Sequence, residues 1–326
     1  MAKIYYQQDA DRSVLDGQSV AVVGYGNQGR SWALNLRDSG VDVSVCVRSD
    51  ATRERAEEDG FQTHDLEFAS TADILCILIP DDIIPSLPIK PKADALTIVA
   101  SGYTVAFDRF DPAGDIGMIA PRMLGPEVRL CYEEGIGFIT AIGIERDVTG
   151  TAWPRLLAVC DAIGGLQQGA IELTAQQEAV LDLSVEQALS PALVAVNQAF
   201  VQSMLAQGIP IEAIVVEMVL SGEVERTYRL LREVGSHVQA EFHSPTSQYG
   251  QLSRREAYMH LDIAATMTGL VEDIRSGKFA DEWDAERDSG YAALNALKAK
   301  HHGPEAIAFD EELRSRIGPG AATRSK

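Results

Sequence analysis

The sequence predicts an α/β protein, with a Rossmann-type doubly wound parallel sheet followed by an all-α domain. Three observations predict this fold. The first half contains short, continuous apolar segments, which are typical of strands buried on both faces of a parallel sheet. A glycine-rich turn joins one of these segments to a helix-like segment, the order that a nucleotide-binding βα unit requires. After Thr174 the strand pattern ends and apolar residues recur with helical spacing.

The chain is long enough for two domains, each with its own core, at 326 residues. Apolar residues make up 46% and charged residues 23%, the proportions of a soluble globular protein. The pattern changes between Gly169 and Thr174. We therefore predict a nucleotide-binding domain over residues 1–172 and a helical domain over residues 173–316. The last residues, 317–326, are predicted to be a disordered tail.

The charge of the chain excludes some classes of partner. With a formal net charge of −20, the protein is a poor match for nucleic acid or an anionic membrane surface, because both bind basic patches. No apolar signal-peptide segment opens the sequence, and no uninterrupted apolar run approaches the length of a membrane span. The cysteines are isolated and suggest neither a zinc site nor a disulfide framework. We expect a cytoplasmic protein that acts on a small molecule.

The glycine-rich turn carries the fingerprint of a dinucleotide site. It lies between an apolar strand and a helical segment, in the stretch SVAVVGYGNQG (19–29). Gly24 permits the tight turn, Gly26 lets a pyrophosphate approach the backbone, and Gly29 lets the helix pack closely on the strand. The amino end of the helix then faces the phosphates. We predict cofactor contacts from the whole turn, that is from Gly24, Tyr25, Gly26, Asn27, Gln28 and Gly29.

The end of the second strand bears on the choice of nucleotide. The strand VDVSVCV (41–47) runs into Arg48, Ser49, Asp50 and Thr52. Arginine and hydroxyl side chains suit the additional phosphate of NADP, whereas an acidic residue at the strand end binds the ribose hydroxyls of NAD. Since Arg48 and Ser49 come first, we predict that Arg48, Ser49 and Thr52 bind NADPH. The alternative is NADH, if Asp50 is the residue that turns inward.

Further apolar segments continue the predicted parallel sheet, at residues 72–80, 95–101, 116–121 and 137–143. In an open α/β sheet the ligand binds outside the carboxyl ends of the strands. That rule points to the residues at and beyond these ends, among them Pro80, Asp81, Ser101 and Arg122. We predict that Pro80, Asp81 and Ser101 contact the cofactor.

The second half is predicted to be helical. Thr174 and Gln177 form a capping box that starts its first helix. A second helix is predicted over residues 211–234 and a last long helix over 256–274. Between them the segment HSPTSQYGQ (243–251) is rich in turn residues and hydroxyl groups, and we predict a loop there.

The first of these helices contains two carboxylates within an apolar run. Asp182 and Glu186 are four residues apart and lie on one face of a helix. Two like charges among apolar neighbours repel each other unless a cation or a proton compensates them. The pair is therefore a candidate site for a divalent metal ion. The alternative is that both carboxylates lie on the solvated edge of an ordinary amphipathic helix.

Several short motifs follow one another in an order that belongs to one known family. They are GYGNQG (24–29), ALNLRDSGVDV (33–43), IPD (79–81), AP (120–121), IGG (163–165), IE (171–172), DLSVEQ (182–187), Glu217 and SPTSQYG (244–250). Several motifs in one order are far more specific than any one of them. On these motifs the chain resembles the ketol-acid reductoisomerases, in their shorter, single-knot form, over nearly its whole length.

The resemblance implies a two-step reaction of branched-chain amino-acid biosynthesis. A metal-assisted alkyl migration converts an acetohydroxy acid to a 2-keto intermediate, which NAD(P)H then reduces to a dihydroxy acid. In the family two magnesium ions are held by a D-x-x-x-E pair and, across a dimer interface, an E-x-x-x-E pair. By position Asp182 and Glu186 match the first pair, Glu217 matches the first residue of the second, and Ser244 matches the serine that binds the substrate carboxylate.

These four residues are accordingly predicted to be catalytic, with Asp182, Glu186 and Glu217 as metal ligands. The resemblance also implies that the helical domain is knotted. It further implies an obligate homodimer with sites shared between the subunits, which can assemble into higher oligomers.

Three positions depart from the family pattern. Ser221 stands where the E-x-x-x-E pair has its second glutamate, Ser101 replaces a histidine, and Arg122 replaces the lysine of A-P-K. Serine is a weak neutral ligand, and arginine cannot exchange a proton near neutral pH. Glu223 or Glu225 could supply the missing carboxylate only if the helix shifted. We expect one well-held magnesium ion, and we include Ser101 and Arg122 among the catalytic residues.

The departures affect the two reaction steps differently. Alkyl migration needs two metal ions and proton transfer, whereas hydride transfer needs a positioned nicotinamide and one Lewis acid or hydrogen-bond donor. We therefore predict a reductase of a keto acid, another carbonyl or an imine, with the isomerase step weakened. The alternatives are an authentic reductoisomerase and a nucleotide-binding protein without turnover.

Overall fold

The computed structural model describes residues 2–258, 260–301 and 303–316, so the predicted disordered tail, 317–326, lies outside the described residues. The chain divides into two compact units, unit 1 (Met1–Leu183) and unit 2 (Ser184–Lys326). The predicted domain boundary follows residue 172, before the first helix of the second half. The two compact units divide near the end of that helix, which spans Ala175–Ser184, and the predicted domain boundary stays a prediction.

Unit 1 is built on a nine-stranded sheet. The strands are β1 (Ile4–Tyr5), β2 (Val20–Val23), β3 (Val43–Cys46), β4 (Thr63–His64), β5 (Ile74–Ile77), β6 (Leu96–Val99), β7 (Asp115–Pro121), β8 (Thr140–Arg146) and β9 (Ala170–Glu172). Their order across the sheet is β1-β9-β8-β7-β6-β5-β2-β3-β4. Burial on both faces is clearest in β2, where Val20 and Val22 belong to one buried apolar cluster and Ala21 and Val23 to a second.

The sheet is mixed, because not every strand of it runs parallel to its neighbours. Strands β2 to β7 pair in parallel, but β8 runs antiparallel to β7 and β1 runs antiparallel to β9. The strand predicted over 137–143 corresponds to β8. A continuous apolar segment indicates that both faces of a strand are covered, and it carries no information about strand direction. That is why the sequence identified the strand and missed its orientation.

Helices cover both faces of this sheet, as the doubly wound class requires. The first, which follows the glycine turn, buries Trp32 and Leu36 in the same cluster as Val22. The helices of unit 1 are α1 (Asn27–Asp38), α2 (Ala51–Glu58), α3 (Tyr103–Ala106), α4 (Gly125–Glu133), α5 (Ala152–Ala162) and α6 (Ala175–Ser184).

The parallel strands bring the predicted site residues to one edge of the sheet. Because β2, β3, β5, β6 and β7 run in the same direction, their carboxyl ends lie side by side. Gly24, Arg48, Leu78, Ser101 and Arg122 are each at or just beyond one of these ends. The edge at the carboxyl ends is therefore where a cofactor site can form.

Unit 2 is helical throughout the part of it that the structure describes. Two of its helical segments are π-helical turns, Val185–Leu189 and Val216–Leu220. A short 3₁₀ helix spans Arg255–Tyr258. The α-helices are α7 (Ser190–Ala206), α8 (Ile211–Val215), α9 (Glu223–Glu241), α10 (Pro245–Arg254), α11 (Ile263–Arg275), α12 (Lys278–Asp288), α13 (Ala292–His301) and α14 (Pro304–Arg316).

The helix boundaries in unit 2 correct several predictions. The segment 243–251 is mostly helix α10, not a loop, because proline is tolerated in the first helical turn and the Ser244 hydroxyl accepts from Ser247 N at 3.3 Å. The single helix predicted over 211–234 is interrupted at Gly222, where φ is +73°. The helix predicted over 256–274 begins only at Ile263, and α12 to α14 were not predicted.

Helix α7 exposes apolar side chains along its length. None of its described residues is buried, and Leu193, Val194, Val196 and Phe200 are all exposed. The helical run Ala175–Ala206 is long and apolar enough, by length and composition, to cross a membrane. The sequence analysis expected no uninterrupted apolar run of that length, and this run does contain the charged residues Glu178, Asp182 and Glu186 and several polar residues. Contiguous exposed apolar surface of this kind is typical of a protein–protein or membrane interaction site.

Candidate active site

The three glycines of the fingerprint occupy three different environments. Gly24 has a φ of +96°, and a Cβ there would lie 2.6 Å from the carbonyl oxygen of Leu78, so only glycine fits. A Cβ at Gly29 would lie 2.2 Å from the Gly24 oxygen, so the helix packs directly on the turn. A Cβ at Gly26 would meet no atom within 4 Å. The space beside Gly26 is the place where a phosphate could approach the backbone.

Two cavities flank this turn at the carboxyl edge of the sheet. The inner cavity, of 380 Å³, is lined by residues from the ends of β5 and β6 and by Asn27, Gln28, Pro80, Asp81 and Ser101. The outer cavity, of 370 Å³, is lined by residues from the ends of β2 and β3. Each cavity has the size of a small-molecule site, and both include Gly26 and Pro80. A larger cavity of 560 Å³, lined by residues between Arg12 and Asp42, contains none of the predicted site residues.

The outer cavity contains the residues on which the choice of nucleotide depends. Arg48 is 78% exposed, and its Nε lies 3.5 Å from Asp50 Oδ2. Asp50 accepts a hydrogen bond from Thr52 N at 2.9 Å and so caps α2. This backbone bond lowers the pKa of the Asp50 carboxyl. Arg48, Asp50 and Thr52 line the cavity, whereas Ser49 is exposed and is not among the lining residues.

Tyr25 also belongs to the lining of the outer cavity, but its side chain is buried. Its hydroxyl donates to Asp59 Oδ2 at 2.8 Å, and Arg30 Nε donates to the same oxygen at 2.7 Å. Burial and the Asp59 charge raise the pKa of the Tyr25 hydroxyl. The tyrosine ring therefore anchors the turn to the end of α2 and acts as part of the core.

The inner cavity has polar groups at both ends. Gln28 donates from Nε2 to the Met123 oxygen at 3.3 Å and accepts from Trp32 Nε1 at 3.2 Å, which fixes its side chain. Ser101 accepts a hydrogen bond from Tyr103 N at 3.2 Å. A hydroxyl that accepts one bond can still donate its own proton. Ser101 can therefore serve as a donor to a ligand in this cavity.

Arg122, Glu178 and Asp182 form an ion-paired group, named here the Arg122 cluster. Arg122 directly follows β7, and its Nη1 donates to Glu178 Oε1 at 2.6 Å. Its Nη2 donates to Asp182 Oδ1. The other oxygen of Glu178, Oε2, accepts from Gly102 N at 2.7 Å. The planar guanidinium thus bridges two carboxylates that lie one turn apart on α6.

The first turn of α6 holds this cluster against the loop after β6. The predicted capping box is confirmed, because Thr174 N donates to Gln177 Oε1 at 3.0 Å and Gln177 N donates to Thr174 Oγ1 at 3.1 Å. A Cβ at Gly102 would lie 2.2 Å from the oxygen of Ala175, so the helix touches the loop backbone directly. Glu178 is only 2% exposed as a result.

The cluster places several negative charges beside the inner cavity. Burial raises the pKa of the Glu178 carboxyl, although the bonds from Gly102 and Arg122 oppose the shift. Burial also raises the pKa of Asp81 to about 6, and the charges of Glu178, Asp82 and Asp182 add to the rise. The bonds to Glu178 and Asp182 outweigh the effect of burial on Arg122 and raise its pKa. Arg122 is therefore the fixed cation of this acidic site.

The predicted metal ligands are divided between the two units. Asp182 belongs to unit 1 and is held by Arg122, whereas Glu186, Glu217 and Ser244 belong to unit 2 and are exposed. Within the described residues, no group of three or more histidine, cysteine, aspartate and glutamate side chains is arranged to hold a metal ion. Carboxylate oxygens are the donors that Mg²⁺ prefers. The donor type therefore fits, while Asp182 is already engaged by a guanidinium.

Both predicted glutamate ligands lie in π-helical turns. Glu186 is in the turn Val185–Leu189 and Glu217 is in the turn Val216–Leu220. Such turns are rare and occur frequently at functional sites, because the widened turn redirects the side chains it carries.

Ser221 has a local role in ending a helix. Its Oγ donates to the Glu217 oxygen at 3.1 Å and accepts from Glu223 N at 3.3 Å. The next residue, Gly222, takes a left-handed conformation that ends the helical run. Glu223 and Glu225 therefore lie on the following helix, α9, and not one turn beyond Glu217 on the same helix. The helix shift that would let them replace a second glutamate is not observed.

Sequence reasoning missed Glu178. Glu178 lies four residues before Asp182, as Asp182 lies four residues before Glu186, so acidic residues recur at every fourth position over three positions of this helical run. That periodicity could have identified it as a member of the same helix face. Its bonds to Gly102 and Arg122 depend on tertiary structure and could not have been predicted from the spacing.

Comparison with known proteins matches both halves of the chain. Residues 14–169 match the family model of the acetohydroxy acid isomeroreductase NADPH-binding domain, and residues 176–318 match that of the ketol-acid reductoisomerase C-terminal domain. The ketol-acid reductoisomerase (NADP(+)) of Caldivirga maquilingensis is 35% identical over 98% of this chain and 100% of its own length. That of Methanocaldococcus jannaschii is 33% identical over 98% and 99%.

A solved structure extends this similarity to three dimensions. The NADH-preferring ketol-acid reductoisomerase from an uncultured archean superposes with a TM-score of 0.89 at 28% sequence identity. The match covers 97% of this chain and 99% of that one. The predicted fold class, a Rossmann-type domain followed by a helical domain, is confirmed by this match.

Proposed function

The chain belongs to the ketol-acid reductoisomerase family, and on that premise we propose that it is an NADPH-dependent reductase whose isomerase step is weakened. Membership of the family makes it an NAD(P)H-dependent oxidoreductase. The substrate is a keto acid, another carbonyl compound or an imine. In the reaction a hydride passes from the nicotinamide to the carbon of the C=O or C=N bond, and one proton is taken up by the oxygen or nitrogen.

The bridging position of Arg122 is the observation that carries this proposal. The guanidinium holds both Glu178 and Asp182 and cannot lose a proton near neutral pH. Alkyl migration needs a group that accepts and returns a proton, and Arg122 cannot be that group. Reduction needs donors that stabilise charge developing on the acceptor atom. Arg122 uses two of its five N–H donors for the carboxylates, and Ser101 supplies a hydroxyl.

The two cavities support the cofactor assignment. The outer cavity contains Arg48 and Thr52, which suit the additional phosphate of NADPH, and Gly26 leaves room for the pyrophosphate. The inner cavity, with Asn27, Gln28, Asp81 and Ser101, is where the nicotinamide would lie. We assign NADPH as the preferred cofactor. The family model and the named NADP(+) relatives support this choice.

We include Mg²⁺ in the proposed function, with Asp182, Glu186 and Glu217 as the residues that would hold it. A bound Mg²⁺ supplies Lewis-acid polarisation of a substrate oxygen. Ser244, at the start of α10, is proposed to bind the substrate carboxylate. The exposed position of Glu186, Glu217 and Ser244 leaves them accessible to a substrate and to a second subunit.

We further propose that the protein is a soluble, cytoplasmic homodimer with shared sites, which can assemble into higher oligomers. The exposed apolar residues of α7 support this, because a second copy can cover a surface that would otherwise face water. The net charge of −20 favours such a partner over an anionic membrane or nucleic acid.

Single-turnover product analysis tests the proposed reaction. Enzyme in excess is mixed with NADPH, Mg²⁺ and one of two substrates, an acetohydroxy acid or the 3-hydroxy-2-keto acid that alkyl migration would produce. We expect the 2-keto acid to be reduced and the acetohydroxy acid to remain unchanged. Conversion of the acetohydroxy acid to a dihydroxy acid at a comparable rate would contradict the proposal.

An authentic reductoisomerase of branched-chain amino-acid biosynthesis is the second candidate. The observation that favours it is the 35% identity to a ketol-acid reductoisomerase (NADP(+)) over 98% of this chain. It predicts dihydroxy acid from the acetohydroxy acid in the experiment just described. A nucleotide-binding protein without turnover would instead bind NADPH and oxidise it with neither substrate.

A further inference from the structure

The Arg122 cluster places a permanent cation on a carboxylate that a metal ion would need. We propose that Arg122 competes with divalent metal ions for Asp182. Its guanidinium is bound to the Asp182 carboxylate and thereby weakens metal binding there. The proposal rests on the proposed function in one respect, because the site is taken to be the one that binds substrate. The bonds of the cluster support it independently of which substrate that is.

The first support is the way in which the guanidinium is fixed. Arg122 bonds to Glu178 through Nη1 and to Asp182 through Nη2, so one planar group satisfies both carboxylates. Glu178 is buried at 2% exposure, and its second oxygen accepts from Gly102 N. The arginine is therefore tethered on its inner side to a buried acid. Moving it away from Asp182 for a metal ion would also disturb this buried bond.

The second support is the surroundings of Asp182. Asp182 is 43% exposed, so a hydrated metal ion can reach it. The described residues contain no group of three or more potential ligands arranged around a metal position. Within the described part of one chain, a metal ion would therefore have to displace Arg122 without gaining a group of three such ligands in return. Under these conditions the tethered cation holds the carboxylate.

The consequence for the reaction is that a fixed cation with hydrogen-bond donors stands where a metal ion would otherwise bind. A guanidinium can bind a substrate carboxylate or the oxygen of a carbonyl group through its remaining N–H donors. It does so without needing to be loaded from solution. Reduction at this site should therefore depend less on Mg²⁺ than a reaction that requires metal ions on both substrate oxygens.

The test is direct measurement of metal binding to the full-length protein without cofactor or substrate. Mn²⁺ is titrated and followed by electron paramagnetic resonance, with isothermal titration calorimetry of Mg²⁺ as the second measurement. We expect Arg122→Gln to bind Mn²⁺ at least tenfold more tightly than the unaltered protein. Arg12→Gln is the control, because it removes the same charge from the Arg12–Asp161 ion pair outside the cluster. We expect the control to change the affinity less than twofold.

A second variant guards against unfolding of the first. Arg122→Gln leaves Glu178 buried without its cation, so the double variant Arg122→Gln/Glu178→Gln removes that unpaired charge and keeps Asp182 free. Circular dichroism checks that each variant is folded, and the double variant should show the same gain in Mn²⁺ affinity. The proposal is overturned if the folded variants bind Mn²⁺ no more tightly than Arg12→Gln. This result would leave the proposed reduction untouched, since the binding assay includes neither NADPH nor substrate.

Discussion

Arginine and lysine differ at position 122 in geometry and in acidity. The arginine guanidinium donates one hydrogen bond to Glu178 and another to Asp182. A lysine ammonium group is a single point of charge, and it can also give up a proton. The sequence identified this position and the loss of proton exchange. It could not identify the bridge to Glu178, since Arg122 and Glu178 are far apart in the chain and only the position of α6 beside the end of β7 brings them together.

At the residue scale, Asp81 should make cofactor binding depend on pH. Its pKa is raised to about 6 from 3.8, so between these values it is protonated in the folded protein and charged in the unfolded one. Stability therefore falls as pH rises from about 4 to about 6. The charged form also repels the anionic cofactor across the inner cavity. We expect the affinity for NADPH, measured by fluorescence titration, to fall roughly threefold between pH 5 and pH 7.5.

The variant Asp81→Asn should remove most of this pH dependence and bind NADPH more tightly at pH 7.5. Asp94→Asn removes one charge from an exposed position and serves as the control. If the NADPH affinity of Asp81→Asn depends on pH in the same way as that of Asp94→Asn and of the unaltered protein, the charge of Asp81 does not act on the cofactor.

Arg48 should determine the preference for NADPH over NADH. Its side chain is exposed at the outer cavity, where it can bond to the additional phosphate, and a hydrogen bond between charged groups contributes about 1.5–3 kcal/mol. We expect Arg48→Ser to raise the KM for NADPH at least about tenfold and to leave the KM for NADH nearly unchanged. Arg55→Ser on the exposed side of α2 is the matched control. Equal losses with both cofactors would mean that Arg48 does not contact the phosphate.

At the scale of elements, α6 connects the carboxyl edge of the sheet to the predicted metal ligands. Its start was predicted from Thr174 and Gln177, because a capping box is a local signal. The π-helical turns that carry Glu186 and Glu217 were not predicted, because their sequences contain ordinary helix formers and no local signal of a widened turn. The loop predicted at 243–251 was wrong for a related reason: its serines cap a helix as readily as they form turns.

The contact between α6 and Gly102 should be intolerant of a single methyl group. A Cβ at position 102 would lie 2.2 Å from the Ala175 oxygen, so Gly102→Ala must push the first turn of α6 away and break the bond from Gly102 N to Glu178. We expect a loss of at least about 2 kcal/mol in the free energy of unfolding, measured with urea, and loss of most of the reductase activity.

Gly269→Ala is the control for this experiment. Gly269 lies inside α11, where a Cβ would meet no atom within 4 Å, so alanine should be neutral or slightly stabilising there. A Gly102→Ala protein as stable and as active as Gly269→Ala would show that α6 is not held closely at this point.

At the scale of the whole molecule, the sequence predicted which segments form the sheet but not how all of them run. The fingerprint and the apolar strands identified β2, β3, β5, β6 and β7, since each signal is local. The short strands β1, β4 and β9, and the reversal at β8, are fixed by pairing with distant segments. In unit 2 the helical class was predicted, but α12 to α14 were missed because their amphipathic pattern is weak.

The exposed surface of α7 leads to a prediction about assembly. Val196 and Phe200 lie one turn apart on an exposed apolar helix, and a dimer interface would bury both. We expect light scattering after size-exclusion chromatography to give a dimer or a larger multiple of the chain mass of 35.3 kDa. Val196→Glu/Phe200→Asp should shift the protein to monomers, because charges in such an interface would be buried without partners. Val148→Glu, a similarly exposed apolar position in unit 1, should leave the assembly intact.

Sedimentation with phospholipid vesicles distinguishes whether a second subunit or a lipid bilayer covers the exposed apolar side chains of α7. A membrane-bound protein would sediment with phospholipid vesicles and require detergent to stay in solution, whereas a dimer stays soluble without it.

The predicted shared sites add a further requirement, since monomers formed by Val196→Glu/Phe200→Asp should lose reductase activity while they keep their affinity for NADPH. The cofactor cavities lie within unit 1, so their binding does not need the partner. Monomers that retain full activity would show that each chain holds a complete site.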